Sequence, residues 1–445
     1  MKKLQSMEES SFLRLFFAAI SVCLFLCALI APDRAQMLSG QVAFLTGTCK
    51  VPTNLFALGG YSATLLNMGI VGVLCCLLFC LPGAKANNVS TLAFLLTVGF
   101  GAWGINAITF WPGILGVGLY CLVKKEKLGS NVNAMLFSTG ISPLISDLLL
   151  RYPHGEILGF NLAGALLAVV VGCVIGFTLP AGLSHSPIVH KGFDLYSAAL
   201  PVGMTAFLLN GVLYKATGVA LPSAPDSSTL LIASPGLIYG FCGAVFLLAA
   251  VLALVLGAKP AAYWKLLSAK DHVPNISAAF GKEVWLLNFG VYGLMILGYY
   301  ALTGATANAV LLGLIFCTVC TCNSGSHPGS VWPIMAGYAA AAFLFGQVST
   351  LVGGSFSLAI NAQAIAIGLC FANGLSPICA KYGPVYGFLA AILHYCLVTL
   401  VPSLHGGFCL YNGGFTAALT CLIVVPQLER FCKTRAQRLE QKAMK

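Results

Sequence analysis

The chain has 445 residues, of which 59% are hydrophobic and only 8% charged, and it carries a net charge of +11. A soluble domain has roughly a quarter of its residues charged, so this composition excludes a water-soluble enzyme and describes a chain whose solvent is the bilayer. The positive balance does not imply a nucleic-acid partner, because the cations lie in loops and in the tail 430–445, where the positive-inside rule expects them.

Apolar runs long enough to cross ~30 Å of hydrocarbon recur from end to end. The first, Phe12 to Pro32 behind Lys2 and Lys3, is too long for a secretory signal and lacks a small-residue cleavage site, so it reads as a retained helix. After this element at 12–32, helices are expected near 62–82, 89–104, 110–123, 132–150, 157–180 and 193–213. Seven more follow near 232–257, 284–302, 306–322, 331–351, 357–380, 385–402 and 408–428. The tail from Gln427 spaces Arg and Lys three or four apart, a pattern for a short helix lying on anionic headgroups.

The chain contains itself twice. Leu65 to Trp111 matches Leu286 to Trp332 without a gap at an offset of 221, pairing Asn67 with Asn288, Asn87 with Asn308 and Trp111-Pro112 with Trp332-Pro333. Upstream, Val51-Pro52 answers Val273-Pro274; downstream, Thr139-Gly140-Ile141-Ser142-Pro143 answers Asn373-Gly374-Leu375-Ser376-Pro377. Last come twin segments, His190 to Tyr196 and His405 to Tyr411, each with an aromatic and a Leu-Tyr pair at matching places. The fold class expected is therefore all-α: a polytopic integral membrane protein of about 14 membrane-embedded helical elements in two inverted-topology repeats, 1–221 and 222–428, with a basic cytoplasmic tail at 429–445.

Loop charges support the inversion. With the N-terminus in the cytoplasm of a bacterial inner membrane, Lys85, Lys124, Lys125, Lys127, Lys191, the linker lysines 259, 265, 270 and 282, and the C-terminal tail all fall inside. The loops 303–308 and 352–356 of the second half carry no charge and fall outside. Arg34, Arg151 and Lys215 depart from the pattern, each near an acid: Asp33, Asp147 or Glu156, and Asp226.

Inverted repeats place a solute site near their pseudo-two-fold axis, built by interrupted helices whose free backbone groups replace water. The duplicated Ser-Pro breaks nominate Thr139, Ser142, Pro143, Asn373, Ser376 and Pro377, since proline removes a backbone donor and Ser, Thr or Asn can cap the new end. Tyr196, Tyr411 and Asn412 start the last helix of each half and are further lining candidates. Asn67 and Asn288 read either as solute contacts or as interhelical glue. Asp147, Asp194, His327 and His394 are candidates for ion or proton coupling, because intramembrane ionisable groups are costly. Asn323 to Ser330 is too polar to face lipid and must line water, bury in protein or sit at a surface.

Most of the 18 cysteines stand in apolar runs as small core residues, and Cys317, Cys320 and Cys322 offer only a weak metal-site spacing. No metal and no cofactor is expected. His405-Gly406-Gly407 has the spacing of an esterase oxyanion loop, but no G-x-S-x-G elbow accompanies it.

The Leu-Leu-Asn-x-Gly block, the Trp-Pro after a glycine-rich turn, and the paired Gly-Phe-x-Leu-Tyr segments resemble an uncharacterised bacterial membrane-protein family, known as a domain of unknown function present in two tandem copies. The resemblance covers nearly the whole chain and implies a membrane location and a repeat, without a substrate. The reading is a non-enzymatic secondary carrier for a small polar solute, neutral or singly charged. Its partners are that solute and the lipid bilayer, with homo-oligomerisation left open. The rivals are a passive channel of urea-channel style, a lipid-modifying enzyme using His405, His327 or Asp194, and a scaffold subunit.

Overall fold

The computed structural model describes Leu4 and residues 6–47, 53–223 and 234–444. Lys2, Lys3, Val51, Pro52 and Asp226 lie outside the described residues. No strand occurs among the described residues. The first half supplies α1 (Glu9–Ile30), α2 (Tyr61–Leu78), α3 (Asn88–Phe100), α4 (Trp111–Lys124), α5 (Val132–Ser138), α6 (Ser142–Leu150), α7 (Leu162–His190) and α8 (Ala199–Asn210). The second supplies α9 (Pro235–Val255), α10 (Lys282–Thr303), α11 (Ala309–Val319), α12 (Pro328–Leu351), α13 (Gln363–Ala372), α14 (Ser376–Tyr382), α15 (Pro384–Val398) and α16 (Asn412–Phe431), and the tail forms α17 (Arg435–Ala443).

Every expected interval carries helix, but not every helix can cross. Nine helical runs among the described residues are long and apolar enough to span, while α3, α4, α11 and α15 are shorter. The 13 residues of α3 reach about 20 Å at 1.5 Å per residue, short of the hydrocarbon thickness. The tail boundary also shifts: α16 runs through 428 to Phe431 before the chain turns into α17.

The duplication is built into the helix starts. Asn54 caps the short helix Leu55–Gly59 and Asn275 caps Ile276–Phe280. Each of these ends on a glycine in the left-handed region, Gly60 at φ 92° and Gly281 at φ 94°, which lets the chain reverse directly into α2 or α10. Asn87 and Asn308 then cap α3 and α11. All three residue pairs keep the offset of 221, so the repeat extends upstream of the aligned block.

Packing repeats as well. Helix α1 lies along α2 as α9 lies along α10, and α7 lies along α4 as α15 lies along α12. Across the halves, α3 packs on α11. Cys317 Sγ donates to Leu96 O at 3.6 Å, and these two residues occupy equivalent positions in the repeat. The end of α11 returns to the start of α3, where Asn323 Nδ2 meets Thr91 Oγ1 at 3.4 Å. The two helices therefore cross antiparallel about Leu96 and Cys317.

The runs α5–α6 and α13–α14 sit at the centre, 94% and 83% buried, whereas α1, α7, α9 and α12 are buried over only 33–39% of their apolar windows. These central runs contain the Ser-Pro breaks. The expected interruption is smaller than an opened helix: Thr139–Ile141 and Asn373–Leu375 each form a single 3-10 turn between two α segments. The reason is local. Pro143 and Pro377 have no N–H to give the carbonyl four residues back; the Ser142 and Ser376 amides bond Thr139 O and Asn373 O instead, tightening the turn.

Candidate functional site: hooks and a cavity between the halves

Each half ends in a hook that seats on the break of the other. The backbone N–H of Leu195 donates to Gly374 O at 3.1 Å, and that of Leu410 donates to Gly140 O at 2.8 Å. The tyrosine after each leucine sets the Cδ2–Cε2 edge of its ring against the same glycine. A Cβ on Gly374 would stand 2.5 Å from Tyr196 Cδ2, and one on Gly140 would overlap the Tyr411 ring. Glycine is required at both turns because the edge of an aromatic ring occupies the space of a side chain. Within each hook a histidine closes the loop seven residues on: His190 Nε2 meets Ser197 Oγ at 3.0 Å, and His405 Nδ1 meets Asn412 Oδ1 at 2.5 Å. The Asp194 amide donates to His190 Nδ1 at 3.4 Å, so the His190 proton sits on Nε2.

The two hooks are not alike. Tyr196 OH reaches Cys317 O at 3.2 Å, Cys370 O at 3.1 Å and Asn373 Oδ1 at 2.9 Å. Tyr411, equally buried against Phe100 at 5.4 Å between ring centroids, has no partner for its hydroxyl. The second hook is packed throughout, with Phe408 stacked on Tyr214 at 5.1 Å and His405 to Tyr411 all buried. The first leaves Lys191 and Gly192 exposed and Leu195 and Ser197 half-buried.

Beside that open hook lies a cavity of about 380 Å³ between the halves. Its walls come from the starts of α3 and α5, the end of α7, the hook 192–198, and His272, Pro274, Ser324 and Tyr411 of the second half. Four polar atoms of lining residues have no partner in the protein: Asp194 Oδ2, His272 Nδ1, Ser324 Oγ and Tyr411 OH. Buried polar groups are normally satisfied, so a concentration of unsatisfied ones around one void marks a place built to receive something polar. Burial pushes the Asp194 carboxyl up to about 7, against the opposing hydrogen bond from Tyr196 N. Burial likewise holds His272 down to about 4, neutral at physiological pH.

Residues 34–215 and 263–430 each match the family described as a protein of unknown function, DUF1576. The chain belongs to the DUF1576 family. The two matched segments fall one in each half, in agreement with the tandem copies read from the sequence. No curated protein and no solved structure matches it.

Of the candidate residues in this DUF1576 chain, Tyr196, Tyr411 and Asp194 line the cavity. The others are engaged elsewhere. Thr139 Oγ1 bonds Leu136 O at 2.6 Å; Ser142 Oγ bonds Thr139 O at 2.8 Å and Thr109 O at 3.1 Å. Ser376 Oγ meets Ser326 Oγ at 3.1 Å, and Pro143 and Pro377 open their α segments. Asn373 joins Tyr196 to Tyr292 OH and Thr318 O, both at 2.6 Å, so it ties the first half's hook to the second half's core. Asn412 is the partner of His405.

Asn67 and Asn288 act as glue within their own halves. Asn67 Nδ2 donates to Gly101 O at 2.6 Å and Ile105 O at 2.8 Å, and Asn288 Nδ2 to Cys322 O at 2.8 Å and Ser326 O at 2.9 Å, four acceptors again in register. Each amide holds the turn that ends α3 or α11.

The coupling candidates separate in the same way. Asp147 forms a buried salt bridge with Arg151 at 2.5 Å and accepts from Tyr214 OH at 2.5 Å. His394 Nδ1 meets Tyr338 OH at 2.5 Å while Nε2 meets Gly413 O at 2.9 Å, which satisfies a neutral ring. His327 precedes α12, its amide bonded to Ser330 Oγ at 3.2 Å, and burial lowers it to about 4. Asp194 alone combines an unpartnered oxygen with a cavity wall. Among the described residues no group of three or more His, Cys, Asp or Glu could hold a metal ion; Cys320 Sγ donates to Tyr196 OH at 3.6 Å.

Of the four lining residues with unpartnered polar atoms, two were not among the sequence candidates. Ser324 stands in the polar stretch 323–330 that composition singled out, so its signal was present. His272 sits in the basic linker just before Val273-Pro274, and a lone histidine there carries no pattern to distinguish it.

Proposed function

We propose that the chain is a secondary carrier for a small polar solute, made of two inverted halves, with the cavity open toward the cytoplasm. The observation that carries this reading is the asymmetry of the twin hooks. One borders, through Gly192 and Asp194 to Ala198, a cavity with four unsatisfied polar atoms, whereas its counterpart is buried from His405 to Tyr411 and reaches that cavity only through Tyr411. Alternating access around a pseudo-two-fold calls for such a pair, in which equivalent elements take the open and closed arrangement in turn.

Inversion is supported by the antiparallel crossing of α3 and α11 at equivalent residues, the contact expected of an axis lying in the membrane plane. Gly192 and Asn88 at the cavity are near Lys191 and Lys85, and His272 follows Lys270, so the cavity faces the lysine-rich side. By the positive-inside rule that side is the cytoplasm, as are both termini.

Asp194 Oδ2 donates when the carboxyl holds its proton and accepts when it is ionised, which favours a solute bearing an amine, amide or hydroxyl, neutral or singly charged. The barrier on the far side of the cavity is the network of Tyr196, Asn373, Tyr292 and Thr318. A continuous pore would have to open through it, which favours a carrier over a passive channel.

The test is a thermal-shift screen of purified protein against small amines, amides, polyols and amino acids, with hits taken into proteoliposomes. Saturable flux with counterflow, lost in Asp194→Asn, is the expected result. A hit that binds equally well to Asp194→Asn and Ser324→Ala would remove the cavity from the mechanism, and flux linear in concentration without counterflow would make the protein a channel.

A further inference from the structure

Away from the cavity, the tail helix α17 does more than lie on a surface. Arg435, Arg438, Leu439 and Lys442 share one face at helical spacing, and that face turns toward Lys270 of the linker to enclose a hollow of about 210 Å³. Glu440 points off this face, about 140° round from Arg435 at 100° per residue.

Protein carbonyls set the two guanidinium groups in place. Arg438 donates to Tyr382 O and, at 2.9 Å, to Lys433 O, and it lies 6.0 Å over the Tyr386 ring. Arg435 Nη1 approaches Ala269 O and Ala380 O, both at 3.4 Å. Thr434 caps the helix in a capping box with Gln437, which fixes where the face begins.

Among the described residues no carboxylate lines the hollow. The two ion pairs among the described residues are Arg151 with Asp147 and Lys191 with Glu429, and none of the four cations takes part in either. Asp271, the acid next in sequence to Lys270, turns its carboxylate to the His272 amide at 2.8 Å. Four positive charges held around one small space repel one another unless an anion joins them.

We propose that Lys270, Arg435, Arg438 and Lys442 bind the phosphate headgroup of an anionic phospholipid. Lipid is favoured over free phosphate by the apolar side chains exposed around the cations. Trp264 is 70% exposed, Phe431 76% and Met444 80%, an interfacial mixture of aromatic, apolar and basic groups. Arginine supplies planar donors for phosphate oxygens and lysine a mobile charge. The bound headgroup joins the linker between the halves to the tail, which Arg438 already ties to the end of α14 at Tyr382 O. This site stands whether or not the chain is a carrier.

The experiment uses full-length protein, delipidated in a neutral detergent and followed by thermal unfolding with added phosphatidylglycerol, phosphatidylcholine or inorganic phosphate. Phosphatidylglycerol should raise the midpoint by several degrees and phosphatidylcholine should not. The double variant Lys270→Gln/Lys442→Gln, both at exposed positions, should keep the lipid-free midpoint of the parent and lose most of the rise. An equal rise with phosphatidylcholine, or a full rise in the double variant, would overturn the site; a full rise with inorganic phosphate would overturn its assignment to lipid.

Discussion

Replacing Gly374 by alanine tests whether the hooks hold the halves together. The added Cβ would stand 2.5 Å from Tyr196 Cδ2, 2.9 Å from Cε2 and 3.1 Å from Asp194 Oδ1. Carbon contacts are favourable at about 3.5–4.0 Å, so the ring must retreat by roughly 1 Å. It is poorly free to do so, because its hydroxyl is bound at Cys317 O, Cys370 O and Asn373 Oδ1. Overpacking costs about 1–3 kcal/mol and loosening a hydrogen bond about 1 kcal/mol more, so Gly374→Ala should destabilise by roughly 2–4 kcal/mol. Gly298→Ala is the control: it lies at an exposed position of α10 with nothing near the new Cβ, and should stabilise by about 0.5–1 kcal/mol. Both can be read from reversible unfolding in mixed micelles. In a Tyr196→Phe background the ring loses its anchor, and the cost of Gly374→Ala should fall by about 1 kcal/mol or more. If Gly374→Ala matched Gly298→Ala, or if the two changes were additive, the hook would not be a tight interlock.

Asp194→Asn should alter the pH dependence of stability. Burial raises the folded carboxyl to about 7, so the folded state holds its proton where the unfolded chain has lost it, and stability falls as pH climbs from about 4 to about 7. The variant should lack that slope in pH-resolved melting curves; an unchanged slope would mean Asp194 is not the titrating group. Asp147→Asn should cost about 3–5 kcal/mol by stranding the buried Arg151 guanidinium, whereas a residue serving only in coupling would leave the unfolding midpoint unmoved. In hydrogen exchange, amides of 405–411 should exchange more slowly than those of 190–196, and a solute that closes the cavity should narrow the difference.

Much of the architecture was legible in residue identities. Asn67 and Asn288, Asn87 and Asn308, and the Trp-Pro pairs keep one offset, and each pair repeats because the same cap or turn must be made twice. The interlock was harder to see. Leu195 meets Gly374 through a backbone amide and carbonyl, which any residue could supply, so no side-chain pattern reports it. The Gly-x-Ser-Pro turn drew attention as a solute site because a proline break exposes backbone groups. In the fold a carbonyl of each such turn is taken by the opposite hook, and the polar vacancy falls beside Asp194 and Tyr411 instead. His272 escaped notice because its role comes from the linker folding back over α3, where Asn88 Nδ2 bonds Pro274 O at 2.7 Å. The shortness of α3 was likewise hidden, since the chain stays apolar through the turn at 101–105 that Asn67 holds, whereas the polar stretch from Asn323 marks the end of α11.

Inversion of the two halves is the central claim, and the sidedness of equivalent loops tests it most directly. The loop after α4 at 124–127 and its counterpart after α12 at 352–356 can each be fused in turn to green fluorescent protein and to alkaline phosphatase. Inversion predicts fluorescence without phosphatase activity at the first and phosphatase activity without fluorescence at the second. The same signal at both loops would place the halves in parallel and contradict alternating access around a two-fold in the membrane plane.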